Sequence, residues 1–207
     1  MNSSAVFAYL ESLFGKSPRT ELEYTSDIDL LVAIILSAQC TDKRVNMVTK
    51  ELFKKYKTVK DYANADLETL RQEIGSINFF NNKAKNIIEM AKIVHAQHGG
   101  VIPADLETLT TLPGVGRKTA SVFLVEFHNM PAMPVDTHVA RFAKRLGFSK
   151  GKNVVEIERD LCEILPRENW ADYHLLMVLF GRYYCKATKP ECATCKLKED
   201  GLCSWTK

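Results

Sequence analysis

Lys118 ends the run LPGVGRK, in which one proline, two glycines and Arg117 precede it, and the apolar stretch Val122 to Val125 comes soon after. Pro113 favours a turn, and Gly114 and Gly116 permit positive φ and a close approach of the backbone to a partner. With Val115 and Arg117 they outline a turn whose N–H groups converge where a helix starts, the arrangement that binds phosphate. An ordinary turn between two helices has the same composition. In that first helical turn, beside Arg117, the ammonium form of Lys118 is disfavoured, so its pKa is expected to fall. A neutral amine then becomes available to attack a sugar aldehyde or C1′. A lysine that merely contacts phosphate reads the same way.

Eighteen residues later, PVDTHVARF brings Asp136 and His138. Asp136 suits a helix N-cap, and it equally suits a carboxylate that supports an electron-poor sugar or orients water. His138 reads as a structural or phosphate-contacting imidazole. Near the end of the chain Cys185, Cys192, Cys195 and Cys203 follow the spacing C-x6-C-x2-C-x7-C in a segment too short to hold a core unaided. Four thiolates there point to a metal. The spacing by itself suits tetrahedral zinc and a cubane iron–sulfur cluster equally. Cys40 and Cys162 lie on apolar helical stretches and read as core.

The elements that must position these groups are helical throughout, since no stretch keeps the strict alternation of a half-buried strand. Ser3 or Ser4 is expected to cap a first helix to about Leu13, and Asp27 a very apolar second one through Leu36. Thr41 opens a helix with Val45, Val48, Leu52 and Phe53 on one face. Thr58 and Asp66 open two short ones, the second ending near Gly75. Asn81 or Asn82 is expected to precede a long amphipathic helix that stops at Gly99 and Gly100. Asp105 opens the helix before the glycine turn. The irregular NMPAMPVDTH reads as a boundary, and three further helices follow over Asp136 to Leu146, Val154 to Leu165 and from Trp170.

Length and composition allow one large domain or two small ones: 207 residues, 46% of them hydrophobic, can bury a core, so disorder is not expected. Lys and Arg total 28 against 25 acids, a formal +3, which permits a nucleic-acid partner without requiring one. The cations are clustered, however, because Thr137 to Val155 holds Arg141, Lys144, Arg145, Lys150 and Lys152 and no acid. The N-terminal stretch lacks a basic leader, and the longest apolar run is too short to span a bilayer. The expectation is a soluble, cytoplasmic chain, nucleoid-associated if bacterial, with thiols kept reduced.

Together, LSAQCTD at 36 to 42, LPGVGRKTA at 112 to 120, VDTH at 135 to 138 and the cysteine tail resemble the endonuclease III family of helix-hairpin-helix DNA glycosylases, in order and over essentially the whole chain. The resemblance implies an all-α fold of two helical domains flanking a DNA-binding cleft. Residues 1–20 would pack with a [4Fe-4S] cluster domain at 133–207, and 21–132 would form a six-helix domain with its helix-hairpin-helix at about 105–128. It implies a monomer that removes oxidised pyrimidines from double-stranded DNA and cuts the abasic site by β-elimination. Lys118 would be the Schiff-base nucleophile, Asp136 the catalytic carboxylate, and Cys185, Cys192, Cys195 and Cys203 the cluster ligands. DNA contacts would come from Gly114, Val115, Gly116, Arg117 and His138, and from Lys186 and Lys189 in the first cysteine loop. The family's polar wedge falls on Gln39, and an apolar filler on Phe79 where leucine is usual, with Asn78 in place of a glycine. The last cysteine interval is longer than is usual in the family. Two other readings compete: a monofunctional adenine glycosylase, which usually lacks the lysine, and a non-catalytic DNA-binding module with a zinc-stapled tail, which needs neither Lys118 nor Asp136.

Overall fold

Nine consecutive buried residues, Ile28 to Leu36, mark the helix around which the middle of the chain is built. A helix apolar on every side must be surrounded. In the computed structural model, which describes residues 2–203 and Trp205, the chain divides into two compact units. One spans Thr20–His128; the other gathers the chain up to Arg19 with the chain from Asn129 onward. All the regular structure among the described residues is helical.

The 20–128 unit holds α2 (Asp27–Ser37), α3 (Asp42–Lys55), α4 (Val59–Ala63), α5 (Leu67–Glu73), α6 (Phe80–Gln97), α7 (Leu106–Thr111) and α8 (Arg117–His128). α3, α6 and α8 pack on α2, while α4 and α5 pack on α6 and α7 on α8. The caps follow side-chain chemistry. Thr41, Thr58, Asp66 and Asp105 each accept the third backbone N–H of their helix, and Thr58 with Asp61 forms a reciprocal capping box. At the far end of α6, Gly99 and Gly100 take positive φ and the Gly100 N–H returns to the Val94 carbonyl.

The other unit is made of α1 (Ser3–Phe14), α9 (Thr137–Leu146), α10 (Val154–Ile164), α11 (Trp170–Tyr183) and the short α12 (Lys196–Glu199). α11 packs on α9 and α1. Phe7, Leu10, Phe142, Leu146, Leu161 and Phe180 are at its centre. Gly181 is required where α11 meets α9, because a Cβ there would stand 2.9 Å from that of His138.

Three helix starts differ from the sequence expectation. Asn2, not Ser3 or Ser4, caps α1, its side chain accepting from the Ala5 N–H. Ser26 caps α2 and leaves Asp27 inside the first turn, where a carboxylate still complements the dipole. The long helix begins at Phe80 rather than after Asn81 or Asn82. Its cap residue, Phe79, is in the left-handed region with no side-chain cap bond, so no capping residue type marked the start.

Candidate active site and nucleic-acid interface

The hairpin is α7, the turn Leu112 to Gly116, and α8. Gly114 takes φ +78°, and a Cβ there would come within 2.9 Å of the Asn86 Cβ on α6, so glycine is needed for both reasons. Gly116 differs from the expectation: it has no positive φ, and a Cβ on it would meet nothing within 4 Å. The fold therefore leaves open space beside Gly116, room for an incoming backbone. The Val115 side chain is core, 3% exposed, and its N–H is taken by the Leu112 carbonyl. Val115 is thus a packing residue and supplies no amide to a ligand, contrary to the sequence reading. Neither Gly114 nor Gly116 has a backbone acceptor for its N–H, and both are exposed with Arg117 and Lys118 in the first turn of α8.

Asp136 is the N-cap of α9, its Oδ1 accepting from the His138 and Val139 N–H groups, both at 2.8 Å. The carboxylate is half-buried and its position is fixed by this pair. The capping role is real, and it orients the group. His138 is half-buried, with its Nδ1 3.2 Å from the Arg141 guanidinium.

Two of the cations expected on a positive surface are instead internal braces. Arg141 donates to the carbonyls of Cys185, Gly181 and Thr137. Arg145 donates to the carbonyls of Cys185, Lys186 and Ala187 and, at 3.3 Å, to the Cys185 Sγ, with the Trp205 ring 4.0 Å from its guanidinium carbon. α9 thereby holds the C-terminal end of α11 and the start of the cysteine loop by planar, multi-donor contacts that lysine could not reproduce. Lys144, Lys150 and Lys152 are exposed. In the loop, Lys186 pairs with Glu191 at 2.7 Å and Lys189 is exposed with φ 50°. An exposed pair of this kind is weak enough to be exchanged for a phosphate.

Cys185, Cys192, Cys195 and Cys203 line one cavity together with Arg145, Leu197, Tyr184 and Trp205. Among the described residues, no three His, Cys, Asp or Glu side chains converge on a position that would hold a single metal ion. Cys40 packs against the core of the 20–128 unit, and burial pushes the Cys162 thiol up to about 11, so both are structural.

Gln39 and Phe79 both lie in the 20–128 unit, and Asn78, next to Phe79, reaches Gln39. Both are exposed and both have positive φ, 56° and 59°. The Asn78 side chain donates to the Gln39 carbonyl at 2.6 Å. Lys83, 6% exposed, donates its Nζ to the carbonyls of Leu36 and Ala38 at 2.8 and 2.6 Å. Burial holds the Lys83 ammonium below the ordinary lysine range, while Cys40 acts in the opposite direction. Sequence reasoning missed Lys83, since one lysine near the start of an amphipathic helix carries no signal of its own.

A family model described as HhH-GPD superfamily base excision DNA repair protein matches residues 32–167. The chain is 48% identical to endonuclease III of Bacillus subtilis over 178 residues, covering 86% of this chain and 81% of that one. Among solved structures it matches a non-covalent endonuclease III–DNA complex with a TM-score of 0.91 and 43% identity, over 97% of this chain and 93% of the other. It also matches a trapped endonuclease III–DNA covalent intermediate with a TM-score of 0.90 and 42% identity, over 99% and 97%.

Proposed function

The chain belongs to the endonuclease III family of the HhH-GPD superfamily of base excision DNA repair proteins, and from that premise we propose that Lys118 and Asp136 carry out its glycosylase and lyase chemistry on double-stranded DNA. The observation that carries the reading is the hairpin: an exposed lysine in the first turn of α8, two residues after a glycine with open space beside it. The substrate is duplex DNA with an oxidised pyrimidine or an abasic site. A phosphate met by the Gly114 and Gly116 amides sets the register of the backbone without reading sequence.

The Lys118 amine attacks C1′ and the C1′–N bond to the base breaks, the base leaving with one of the amine protons; the C1′–O4′ bond of the sugar then opens, O4′ taking a proton, and the C1′–N bond to Lys118 becomes an iminium linkage. That linkage acidifies the 2′ proton, and its loss expels the 3′ phosphate oxygen by β-elimination, which cuts the strand on the 3′ side. Asp136 supports the electron-poor sugar and takes part in the proton transfers, with its capping bonds fixing where its charge sits.

The four terminal cysteines suit a [4Fe-4S] cluster. They ring a cavity, as a cubane with one thiolate on each iron needs, whereas a zinc ion needs its thiolates within about 2.3 Å of one point. Held by Cys185, Cys192, Cys195 and Cys203, the cluster would supply a structural staple for the loop carrying Lys186 and Lys189. Because its substrate is DNA, the protein is proposed to work in the cytoplasm, as a monomer.

The test is borohydride trapping on abasic DNA with two variants. Lys118→Gln is expected to fold and bind DNA yet give no trapped adduct, because an amide forms no Schiff base. Asp136→Asn keeps an oxygen for the His138 and Val139 N–H groups, so its melting temperature should stay near that of the wild type, while single-turnover base release falls at least about tenfold. Trapping by Lys118→Gln would remove the nucleophile from this scheme, and wild-type turnover by Asp136→Asn would reduce Asp136 to a cap.

A further inference from the structure

Four non-glycine residues have positive φ among the described residues, and two of them, Gln39 and Phe79, flank the hydrogen bonds that join the end of α2 to the start of α6. Side chains seldom adopt this backbone region unless neighbours hold them there. The restraint comes from α6 and its approach. α2 ends at Ser37, and the last carbonyls of a helix lack partners within it. The Lys83 ammonium takes those of Leu36 and Ala38, and the Asn78 amide takes that of Gln39. Lys83 is itself in the first turn of α6, with its own N–H on the Phe79 carbonyl. The end of α2 is thus capped by another helix. The same contacts fix the Gln39 backbone against Asn78, the residue before Phe79, with Phe79 left 60% exposed and Gln39 also exposed.

We propose that Asn78 and Lys83 are positioning residues that hold Gln39 and Phe79 as one preformed two-point wedge in the free protein, ready to fill the space an extruded nucleotide leaves in the duplex. This rests on the DNA-repair reading above, since chemistry on a base requires taking it out of the stack. A wedge already ordered loses less conformational freedom on entering DNA. The latch needs a side chain at position 78, because a glycine there could make no such bond.

The experiment compares single-turnover processing of two DNAs: a duplex with one thymine glycol, and an abasic site inside a short unpaired bubble, where little remains to be opened. Gln39→Ala establishes whether the pair wedges at all. Asn78→Ala removes the latch at an exposed position, and Lys83→Met removes the second contact; if Lys83→Met fails to fold, Asn78→Ala still decides. The latch is expected to show as an approximately tenfold loss on the duplex lesion with less than about a twofold loss in the bubble. Asn78→Ala should add little in a Gln39→Ala, Phe79→Ala background. Backbone 15N relaxation of the free protein should also show residues 38–40 loosened by Asn78→Ala. A split for Gln39→Ala with none for Asn78→Ala would overturn the latch and leave the wedge intact. Absence of a split for Gln39→Ala would overturn the wedge itself, and unchanged relaxation at 38–40 would overturn the latch whatever the kinetics.

Discussion

Gly114 and Gly116 stand two places apart in one turn, and they are glycine for different reasons. At position 114 the backbone has φ +78° and Asn86 on α6 leaves no room for a methyl group. Alanine there meets both a left-handed backbone, costing about 1–2 kcal/mol, and a Cβ-to-Cβ approach that only a backbone shift can relieve. At position 116 neither constraint applies, and the carbonyl accepts the Ala120 N–H as the cap of α8. Serine is a good residue at such a cap. Gly114→Ala is therefore expected to lower the melting temperature by several degrees, whereas Gly116→Ser should leave it unchanged or raised. DNA affinity should show the reverse emphasis. The side chain of Gly116→Ser occupies the space in which a phosphate would sit, so binding should weaken about tenfold or more. Thermal melts and fluorescence anisotropy on the two variants check this. A Gly116→Ser protein that binds DNA like the wild type would show that the open space is not where the backbone enters.

The helices of the 20–128 unit were legible where a polar side chain starts them. Thr41, Thr58, Asp66 and Asp105 carry their signal in residue type, and each caps the helix expected of it. The start of α6 carried none, because Phe79 is left-handed with no side-chain cap bond, and the bonds around it, from Asn78 to Gln39 and from Lys83 to Ala38, join residues far apart in sequence. The braces on Arg141 and Arg145 were hidden for the same reason: a basic run shows charge, but not the carbonyls 40 residues away that absorb it. The aspartate caps also set an acid limit. Asp66 and Asp105 are held below the ordinary aspartate value of 3.8, first by the Thr69 and Thr108 backbone N–H groups respectively. A carboxyl whose pKa is lower folded than unfolded stabilises the fold above its unfolded value, and the contribution disappears as pH falls through the folded one. Melting temperature should therefore drop as pH is taken below about 4, and the Asp66→Asn, Asp105→Asn double variant, which keeps capping oxygens that do not titrate, should lose less over the same range. Parallel curves for the two proteins would assign the acid sensitivity to other groups.

The two units draw on different sources of stability. Between α2 and the helices packed on it, the 20–128 unit buries a continuous apolar core from Leu22 to Leu124, and each fully buried Leu or Ile in it is worth about 1.5–3 kcal/mol. The other unit has a core of its own around Phe142 and Phe180, but beyond Tyr184 only Leu197 is fully buried among the described residues, with Cys185, Cys195, Leu202 and Cys203 partly buried against that core. That tail is held by the Arg141 and Arg145 contacts, by the packing of α12 on α1 and by whatever the four cysteines bind. Arg145 alone cannot order it, since hydrogen bonds to exposed carbonyls exchange readily with water. Removing the proposed [4Fe-4S] cluster by oxidation and chelation should accordingly act in one place: a group that binds only the folded form contributes its binding energy to folding. Amide exchange measured by mass spectrometry is expected to rise to near the unstructured rate over 185–203 and to increase modestly in α9 and α11. Peptides from α2 and α6 should keep their protection. Borohydride trapping through Lys118, which stands on the 20–128 unit, should then weaken through lost DNA affinity and recover at high DNA concentration. Protection over 185–203 that survives cluster removal would mean that the tail is ordered by its own packing, and the staple would no longer explain why so short a segment folds.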